Sequence, residues 1–233
     1  MKKQILIIAS GLFTAGIIAL SGCAKDDSSL PVIKLKGDAT VYHVLNTEYK
    51  DAGATAEDDK AGDITSAITT TNPVKKDLVG AYKVTYNVSD ATGNSGTATR
   101  TVIVYNEAGK LLSGDYLSGG IKYNVSDDVK NDKVYTYEQT VTPSTTVNNK
   151  ISFDKFANYI DNTNIYATVN VSAKIIELPQ QIANNIGDTT PKKDHEFQGT
   201  GTISGFTFVL SYKDKNISNN NSIAECIATF TKQ

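Results

Sequence analysis

The side chains best suited to catalysis or metal binding are few and far apart in this sequence. It holds two histidines, His43 and His195, and two cysteines, Cys23 and Cys226, in 233 residues. Zinc sites need His and Cys ligands at short, fixed spacings such as H-E-x-x-H, and no such spacing occurs. A serine hydrolase would depend on His195, yet the sequence lacks the G-x-S-x-G turn that presents a nucleophilic serine. Neither histidine is therefore expected to be a ligand or a catalytic base.

Glycine and carboxylate patterns give no stronger indication of catalysis. The stretch GTGTISG, residues 199–205, has the wrong spacing for the dinucleotide-binding G-x-G-x-x-G and leads into a strand. Its glycines are more simply explained by a bend or by close strand packing. Paired carboxylates for glycoside hydrolysis remain an alternative, because Asp and Glu are spread over the whole chain. We expect a non-catalytic protein that needs no cofactor.

Four carboxylates fall within one predicted loop: Glu57, Asp58, Asp59 and Asp63. Ca²⁺ prefers several oxygen ligands, so a calcium site is one interpretation of this loop. The EF-hand spacing is absent, however, and turn formation and strand capping account for the same residues more simply. The sequence alone therefore predicts no metal site.

The cysteine with the clearest context is Cys23. It follows a short basic start and an apolar run over residues 5–20, which is too short to span a bilayer as a helix. This arrangement predicts a signal peptide over residues 1–22. The sequence Leu20-Ser21-Gly22-Cys23 resembles the bacterial lipobox, in which the thiol receives lipid and the chain is cut before the cysteine. The resemblance implies that Cys23 carries the membrane anchor, which leaves Cys226 as a small hydrophobic residue of the last strand.

The residues just after Cys23 suggest a second signal. In the sequence CAKDDSS, Lys25, Asp26 and Asp27 resemble the export signal of Bacteroidetes surface lipoproteins, in which acidic residues follow the lipidated cysteine. The resemblance implies a lipid-anchored protein of the outer membrane that faces the cell exterior. The alternative is that residues 23–30 form only a solvated tether.

Charge and composition narrow the remaining classes. Two lysines belong to the predicted signal peptide, so the mature chain of 211 residues would hold 21 basic and 25 acidic residues, a net charge of −4. This balance argues against a nucleic-acid partner, because phosphate binding needs a clustered basic surface. Abundant Thr, Val, Ile and Tyr, punctuated by Asn, Asp, Gly and Ser, predict an all-β protein.

Residues 31–105 show the pattern of a half-buried sheet. Apolar residues alternate with polar ones from Tyr82 to Val88, and a turn rich in Asp, Gly and Asn leads to a second strand that runs through Val104, which predicts a hairpin. The segment opens with Pro-Val-Ile and contains Gly-Asp-Ile-Thr and Val-Gly-x-Tyr-x-Val-x-Tyr-x-Val-x-Asp-x-x-Gly-Asn. With these motifs it resembles the immunoglobulin-like module of bacterial surface proteins. The resemblance implies a β-sandwich that acts as a spacer.

A second run of predicted strands occupies residues 111–233, after a break in the pattern at residues 106–110. Alternate residues from Ile165 to Ile175 are apolar, which predicts one long antiparallel strand with one solvated face. Motifs such as GTISG and the closing CIATFTK resemble the C-terminal lipocalin-like or sandwich domains of small Bacteroidetes lipoproteins. We expect a second antiparallel β domain, and the pattern fits both a barrel and a sandwich.

Two functions of different classes fit these features. The first is a surface-exposed accessory lipoprotein that binds a glycan or another ligand without catalysis. The second is a structural spacer or a subunit of an outer-membrane protein assembly. Tyrosines of the second domain could supply aromatic faces for a sugar. Those considered are Tyr116, Tyr123, Tyr135, Tyr137, Tyr159, Tyr166 and Tyr212, and the predicted ligand-binding set is Tyr123, Tyr135, Tyr137, Tyr166 and Tyr212. Exposed tyrosines grouped beside Asn or Asp would favour ligand binding, whereas scattered burial would favour the spacer.

Replacing both Asp26 and Asp27 with alanine is expected to leave lipid attachment intact but to strand the protein on the inner leaflet of the outer membrane. Labelled palmitate reports the lipid, and protease shaving of whole cells reports exposure. Cys23→Ala is the control that should lose the label. A double variant as accessible to protease as the wild type would reduce the two aspartates to a solvated tether.

Overall fold

The computed structural model describes residues 27–130, 132–159, 165–186, 193–218 and 221–233. The predicted signal peptide, Cys23, Lys25 and Asp26 therefore lie outside the described residues. Strand accounts for 58% and helix for 7%, so the protein is all-β, as the sequence predicts. The strands of the N-terminal part are β1 (Val32–Leu35), β2 (Thr40–Val44), β3 (Ala54–Asp58), β4 (Gly62–Asp63), β5 (Thr69–Thr71), β6 (Gly80–Ser89) and β7 (Ser95–Tyr105).

These seven strands form a sandwich of two sheets. One sheet has the order β1-β3-β4 and the other has the order β2-β7-β6-β5. The predicted hairpin is confirmed, because β6 pairs with β7 from Gly80 opposite Val104 to Ser89 opposite Ser95. Alternate residues of both strands point into the sandwich, where Val84 and Val102 are fully buried. Burial of this apolar face stabilises the sandwich by about 25 cal/mol for each Å² removed from water.

A buried ion pair lies inside the sandwich. The guanidinium of Arg100, which is 1% exposed, donates to Asp51 Oδ2 at 2.7 Å and to the carbonyl oxygen of Asp38 at 2.9 Å. Tyr86 and Tyr49 donate their hydroxyls to the same carboxylate at 2.5 and 2.7 Å. Burial acts to raise the pKa of Asp51, but the hydrogen bonds from the two tyrosines and the guanidinium lower it to about 2. Because the charges are paired, this network holds the loop before β3 against β7.

The C-terminal part is a closed barrel. Its elements are α1 (Glu107–Ser113), β8 (Ile121–Val129), β9 (Val134–Pro143), β10 (Lys150–Phe153), β11 (Tyr166–Asn170), β12 (Ile175–Ile186), β13 (Lys193–Ser204), β14 (Thr207–Asn216) and β15 (Ser222–Lys232). Each of the eight strands pairs antiparallel with the next along the chain, and β15 pairs with β8. The ring of pairings decides between the two architectures that fit the sequence, in favour of a barrel.

The single long strand predicted from Ile165 to Ile175 is wrong. The chain reverses over residues 171–174, and β11 and β12 pair with each other, with Asn170 opposite Ile175. Asn170 Oδ1 accepts hydrogen bonds from Ser172 Oγ at 2.9 Å and from the backbone N–H of Ala173 at 3.0 Å. This is the turn chemistry that asparagine favours. The apolar alternation continues through the turn and so conceals it.

Aromatic rings fill much of the barrel interior. Phe208 and Phe230 stack with centroids 4.2 Å apart, and Phe156 lies 5.1 Å from Phe197 and 4.9 Å from Tyr212. An eight-stranded barrel is just wide enough for side chains to fill, or to hold one small ligand.

Helix α1 closes one end of the barrel. Its residues Ala108 and Leu112 are fully buried in the barrel core, and the Tyr123 hydroxyl donates to the Leu112 carbonyl at 3.2 Å. The helix begins after Asn106, whose Oδ1 accepts from the backbone N–H of Ala108 at 3.0 Å, as a favourable N-cap does. It ends at Gly114, which has a positive φ of 86°. The predicted break at residues 106–110 is therefore the start of a helix.

The side-chain amide of Asn106 also fixes the turn between β9 and β10. Its Nδ2 donates to the carbonyl oxygens of Ser144, Val147 and Lys150, at 2.8, 3.1 and 3.3 Å. Its Oδ1 also accepts from the backbone N–H of Asn149 at 3.1 Å. The residue is buried, so its hydrogen bonds replace water for both the helix and the turn.

The sandwich contacts the barrel at the end that α1 closes. Asn46 donates to the Thr146 carbonyl at 3.0 Å and accepts from the backbone N–H of Asn148 at 2.8 Å. The rings of Tyr42 and Tyr116 stack with centroids 3.9 Å apart. The opposite end of the barrel thus points away from the sandwich.

Asn106→Ala is expected to lower the free energy of unfolding of the full chain by about 3 kcal/mol, from a lost N-cap and unsatisfied buried carbonyls. Chemical denaturation followed by circular dichroism measures the change. The matched control is Asn72→Ala, because Asn72 is exposed and accepts one turn hydrogen bond from Val74, and it should change stability by about 0.5 kcal/mol or less. Equal losses in both variants would show that Asn106 does not have this special role.

Candidate functional site

A cavity of about 400 Å³ lies at the barrel end opposite α1. Asp127 and Val129 at the end of β8, Asp214 on β14 and Ala224 on β15 line it. At the other end of the barrel, Gly109 of α1 packs against Pro143 of β9. We call this cavity the mouth. Its size falls within the roughly 300–1,000 Å³ typical of small-ligand sites.

Asp127 lies at the base of the mouth and is 2% exposed. Its Oδ2 accepts the hydroxyl of Tyr212 at 2.5 Å and that of Tyr137 at 3.4 Å. Its Oδ1 is buried and has no hydrogen-bond partner among the residues that the structure describes. Burial raises the pKa of Asp127, the two tyrosine hydroxyls oppose that shift, and the charge of Asp214 adds to it. A buried acceptor of this kind is costly unless a ligand satisfies it.

Asp214 forms a second polar group with His195 and Tyr159. The Asp214 carboxylate lies 2.5 Å from His195 Nδ1 and accepts the Tyr159 hydroxyl at 2.7 Å. The same hydroxyl lies 2.9 Å from His195 Nδ1. Both His195 and the Asp214 side chain are largely buried, so water screens this group little. The result is a fixed set of donors and acceptors at the edge of the mouth.

The thiol of Cys226, which also lines the mouth, is not poised to react. Burial raises its pKa to about 12, and the negative charge of Asp127 adds to the effect. A nucleophilic cysteine needs the opposite shift, toward the thiolate. The prediction that Cys226 is a small hydrophobic residue of the last strand is confirmed, because it is buried and unpaired in β15.

The predicted ligand-binding tyrosines fall in different places. Tyr123 is buried in the core beside α1, and Tyr166 lies outside the mouth with Lys150 Nζ 4.1 Å from its ring centroid. Tyr212 is also buried but lines the mouth, together with part-buried Tyr135. Tyr137 is part-buried and bonds Asp127. Tyr123 and Tyr212 are inward residues of their strands and present no exposed aromatic face, the arrangement that favours the spacer.

Asp127, His195 and Asp214 are missing from the site that the sequence predicts. They come from three different strands, and no sequence spacing links them. The available signal was a polar residue at an inward position: Asp127 continues the inward row of Tyr123 and Val125, and Asp214 follows Tyr212 two residues later. Buried polar residues in such rows indicate function more often than exposed ones do.

The other sequence candidates lie elsewhere. His43 is in the sandwich, where its Nε2 lies 3.1 Å from the Thr47 carbonyl oxygen. Gly199 and Gly201 confirm the expected close strand packing, because a Cβ at Gly201 would lie 2.2 Å from the Val209 carbonyl oxygen. Above these glycines runs an open depression of about 780 Å³ on the outside of the barrel, lined by Gln198, Thr200, Lys213 and Ile227 among others. It is larger than the mouth but lacks the buried carboxylates, so the mouth is the stronger candidate.

Comparison with known proteins identifies part of the chain. Residues 33–104 match the family described as bacterial surface protein, Ig-like domain. The N-terminal sandwich is thus an immunoglobulin-like domain of the kind found in bacterial surface proteins. No curated protein matches the chain.

Three solved structures are similar to the chain at 15% identity. The lipoprotein BT2262 from Bacteroides thetaiotaomicron aligns over 88% of this chain and 100% of its own, with a TM-score of 0.33. The CBM51-2 domain in complex with GlcNAc, with INT domains, from Clostridium perfringens ZmpB aligns over 87% and 48%, with a TM-score of 0.27. The M60 catalytic domain with both CBM51 domains of the same protein aligns over 87% and 21%, with a TM-score of 0.29. These scores are too low to define a shared fold.

Within the part of the chain that the structure describes, no helix is both long enough and apolar enough to span a bilayer.

Asp127→Asn is expected to stabilise the protein at neutral pH. The pKa of Asp127 in the folded protein lies above its ordinary value of 3.8. The stability that protonated Asp127 contributes is therefore fully present below pH 3.8 and is lost as the pH rises through the raised pKa. Asparagine stays neutral throughout. The variant should therefore unfold at a higher denaturant concentration than the wild type at pH 7, and the gap should close below about pH 3.8.

Asp128→Asn is the matched control, because Asp128 is the exposed neighbour on the outer face of β8, and its effect should stay within about 0.5 kcal/mol. An Asp127→Asn variant less stable than the wild type at every pH would make this carboxylate a structural group.

Proposed function

We propose that the protein is a lipoprotein anchored through Cys23 in the outer membrane and displayed on the cell surface, where the mouth of its barrel binds a glycan without catalysis. The observation that carries the ligand-binding part is the pair of carboxylates, Asp127 and Asp214, held beside three tyrosines in one cavity. The wider class of ligand is any compact polyhydroxylated molecule.

The chemistry of the mouth suits a sugar. Asp127 and Asp214 both line the mouth, and carboxylate oxygens are good acceptors for the hydroxyl groups of a sugar. The rings of Tyr135 and Tyr159 border the same cavity and can pack against the apolar face of a sugar ring. Three carboxylates, Asp127, Asp132 and Asp214, line the mouth, against the nearby amine of Lys133, whose Nζ lies 4.8 Å from the ring centroid of Tyr135. The mouth therefore favours neutral or cationic ligands over anionic ones.

The position of the mouth also supports this proposal. The immunoglobulin-like domain adjoins the predicted tether, and it contacts the barrel at the end that α1 closes. The mouth lies at the other end, away from the predicted lipid anchor. Presentation of a binding site at a distance from the membrane is what a surface accessory protein needs.

Several features argue for binding rather than catalysis. The Cys226 thiol is held protonated by burial and by the charge of Asp127. His195 is tied to Asp214 and Tyr159, and the described lining of the mouth includes no serine that it could activate. The proposed role of the polar groups is therefore recognition.

A second candidate is a structural spacer or a subunit of an outer-membrane assembly. The hydrogen bonds of Asn46 with the β9–β10 turn and the stacking of Tyr42 on Tyr116 favour it, because they join sandwich and barrel into a stiff unit. The two roles are compatible, since a stiff stalk can also carry a binding site.

Glycan binding is tested with the full mature chain carrying Cys23→Ala so that it stays in solution. A glycan array followed by calorimetry is expected to show a dissociation constant on the order of micromolar to millimolar. Tyr135→Ala should weaken binding by about tenfold, through loss of one packing ring. Tyr166→Ala is the matched control, because Tyr166 lies outside the mouth, and it should leave the affinity unchanged.

Other results would change the assignment. Failure to bind any host or plant glycan, together with crosslinking of the chain to one outer-membrane protein, would favour the structural subunit. Release of reducing sugar would show that carboxylates of the chain form a catalytic pair. Loss of binding in Tyr166→Ala but not in Tyr135→Ala would move the site to the outer face of the barrel.

A further inference from the structure

We propose that Asp27, Asp58 and Asp59 form a calcium site that fastens the tether to the immunoglobulin-like domain. Asp27 belongs to the segment that follows the predicted lipid attachment, whereas Asp58 ends β3 and Asp59 begins the turn after it. One carboxylate oxygen from each residue lies within 4.8 Å of the others. Three carboxylates from two distant segments thus converge at one point.

Asp58 provides the independent indication of a ligand. It is 7% exposed, and its Oδ1 accepts from the backbone N–H groups of Lys60 and Ala61 at 3.0 and 2.7 Å. Its Oδ2 is buried, and the described residues supply it with no hydrogen-bond partner. A buried carboxylate oxygen without a partner costs free energy, beyond the repulsion from neighbouring carboxylates. A bound cation would remove both costs.

The other carboxylates of the same loop are already engaged. Glu57 lies 3.0 Å from Lys34 Nζ in a surface ion pair. Asp63 Oδ1 accepts from the backbone N–H of Thr65 at 2.8 Å. The turn and capping roles predicted for this loop therefore account for these residues, but not for Asp58 Oδ2. Residues 57–63 alone predict no metal site, because the third carboxylate of the group, Asp27, lies far from this loop in the sequence.

The chemistry of the three ligands favours calcium. Ca²⁺ accepts several oxygen ligands at about 2.3–2.6 Å in a flexible geometry, whereas Mg²⁺ demands a near-ideal octahedron at about 2.0–2.1 Å and gives up its water reluctantly. Zinc would prefer His or Cys, and neither is in the group. Lys60 Nζ lies 3.5 Å from Asp59 Oδ2, but both side chains are mostly exposed, so solvent screens this pair and it offsets the negative charge only in part.

The tether already contacts the immunoglobulin-like domain beside the proposed calcium site. The Asp27 carbonyl accepts from Asn94 Nδ2 at 3.0 Å, and Asp27 Oδ1 accepts from the backbone N–H of Ser29 at 3.0 Å. Pro31 is buried, and its carbonyl oxygen lies so close to Gly96 that a side chain at residue 96 would collide with it. Calcium would add a third attachment and fix the direction in which the chain leaves the domain.

The test is a calorimetric titration of the full mature chain, carrying Cys23→Ala, with CaCl₂ alone and then with MgCl₂. We expect a dissociation constant for Ca²⁺ on the order of 10⁻⁴–10⁻³ M, as in extracellular calcium modules, and weaker binding of Mg²⁺. Asp58→Asn and Asp27→Asn should each weaken Ca²⁺ binding by at least about tenfold, because each removes a charged ligand. Asp27 lies outside the sandwich strands, so Asp27→Asn should fold normally. This variant still tests the site if Asp58→Asn fails to fold.

Glu57→Gln and Asp63→Asn are the matched controls, because each removes one charge from the same loop without touching the site. They should change Ca²⁺ affinity by no more than about twofold. Hydrogen exchange of residues 28–30 should slow when Ca²⁺ is added to the wild type but not to Asp58→Asn.

Three results would overturn the proposal. The first is a wild type that takes up no Ca²⁺ at about 10 mM, well above the expected range. The second is an equal loss of Ca²⁺ affinity in the control variants and the site variants. That result would mean that the general negative charge of the surface attracts Ca²⁺, rather than the three aspartates. The third is unchanged exchange in residues 28–30, which would show that the ion does not fasten the tether.

Discussion

The side-chain amide of Asn106 is the constraint on which the arrangement of the two halves depends. Its oxygen accepts backbone N–H groups at the start of α1 and in the β9–β10 turn, and its nitrogen donates to three carbonyls of that turn region. The same turn contacts Asn46 of the sandwich. One buried amide therefore sets where the helix begins, how the turn is shaped and how the immunoglobulin-like domain meets the barrel. Because each of these groups is removed from water, an imperfect replacement leaves several of them unsatisfied at once.

The closed and open ends of the barrel follow from this arrangement. Helix α1 fills one end, and phenylalanine rings fill the middle, so polar groups facing inward collect at the other end. Asp127 is costly to hold there, since burial raises its pKa and one oxygen lacks a partner within the described part of the chain. Sites that bind ligands commonly carry such a cost in the free protein.

The sequence predicted the all-β class and the β6–β7 hairpin because both are local patterns of alternating side chains. It failed where tertiary structure decides. The Asn170 turn lies inside an unbroken alternation, α1 is only seven residues long, and closure of the barrel depends on pairing between β15 and β8. Asp127, His195 and Asp214 meet only because three separate strands bring their inward rows together, and Asp27 approaches Asp58 across thirty residues of chain. A local sequence pattern cannot predict contacts between residues so far apart in the chain.

The ring of strand pairing in the barrel has a consequence for behaviour at high local concentration. A sheet edge offers unpaired N–H and C=O groups on which another copy can add a strand, and a closed ring removes that opportunity. In the sandwich the strands at the sheet edges are short: β4 has two residues, β5 has three, β1 has four and β2 has five. Many copies can therefore stand side by side with little tendency to polymerise through their backbones, and any self-association would have to proceed through side chains instead.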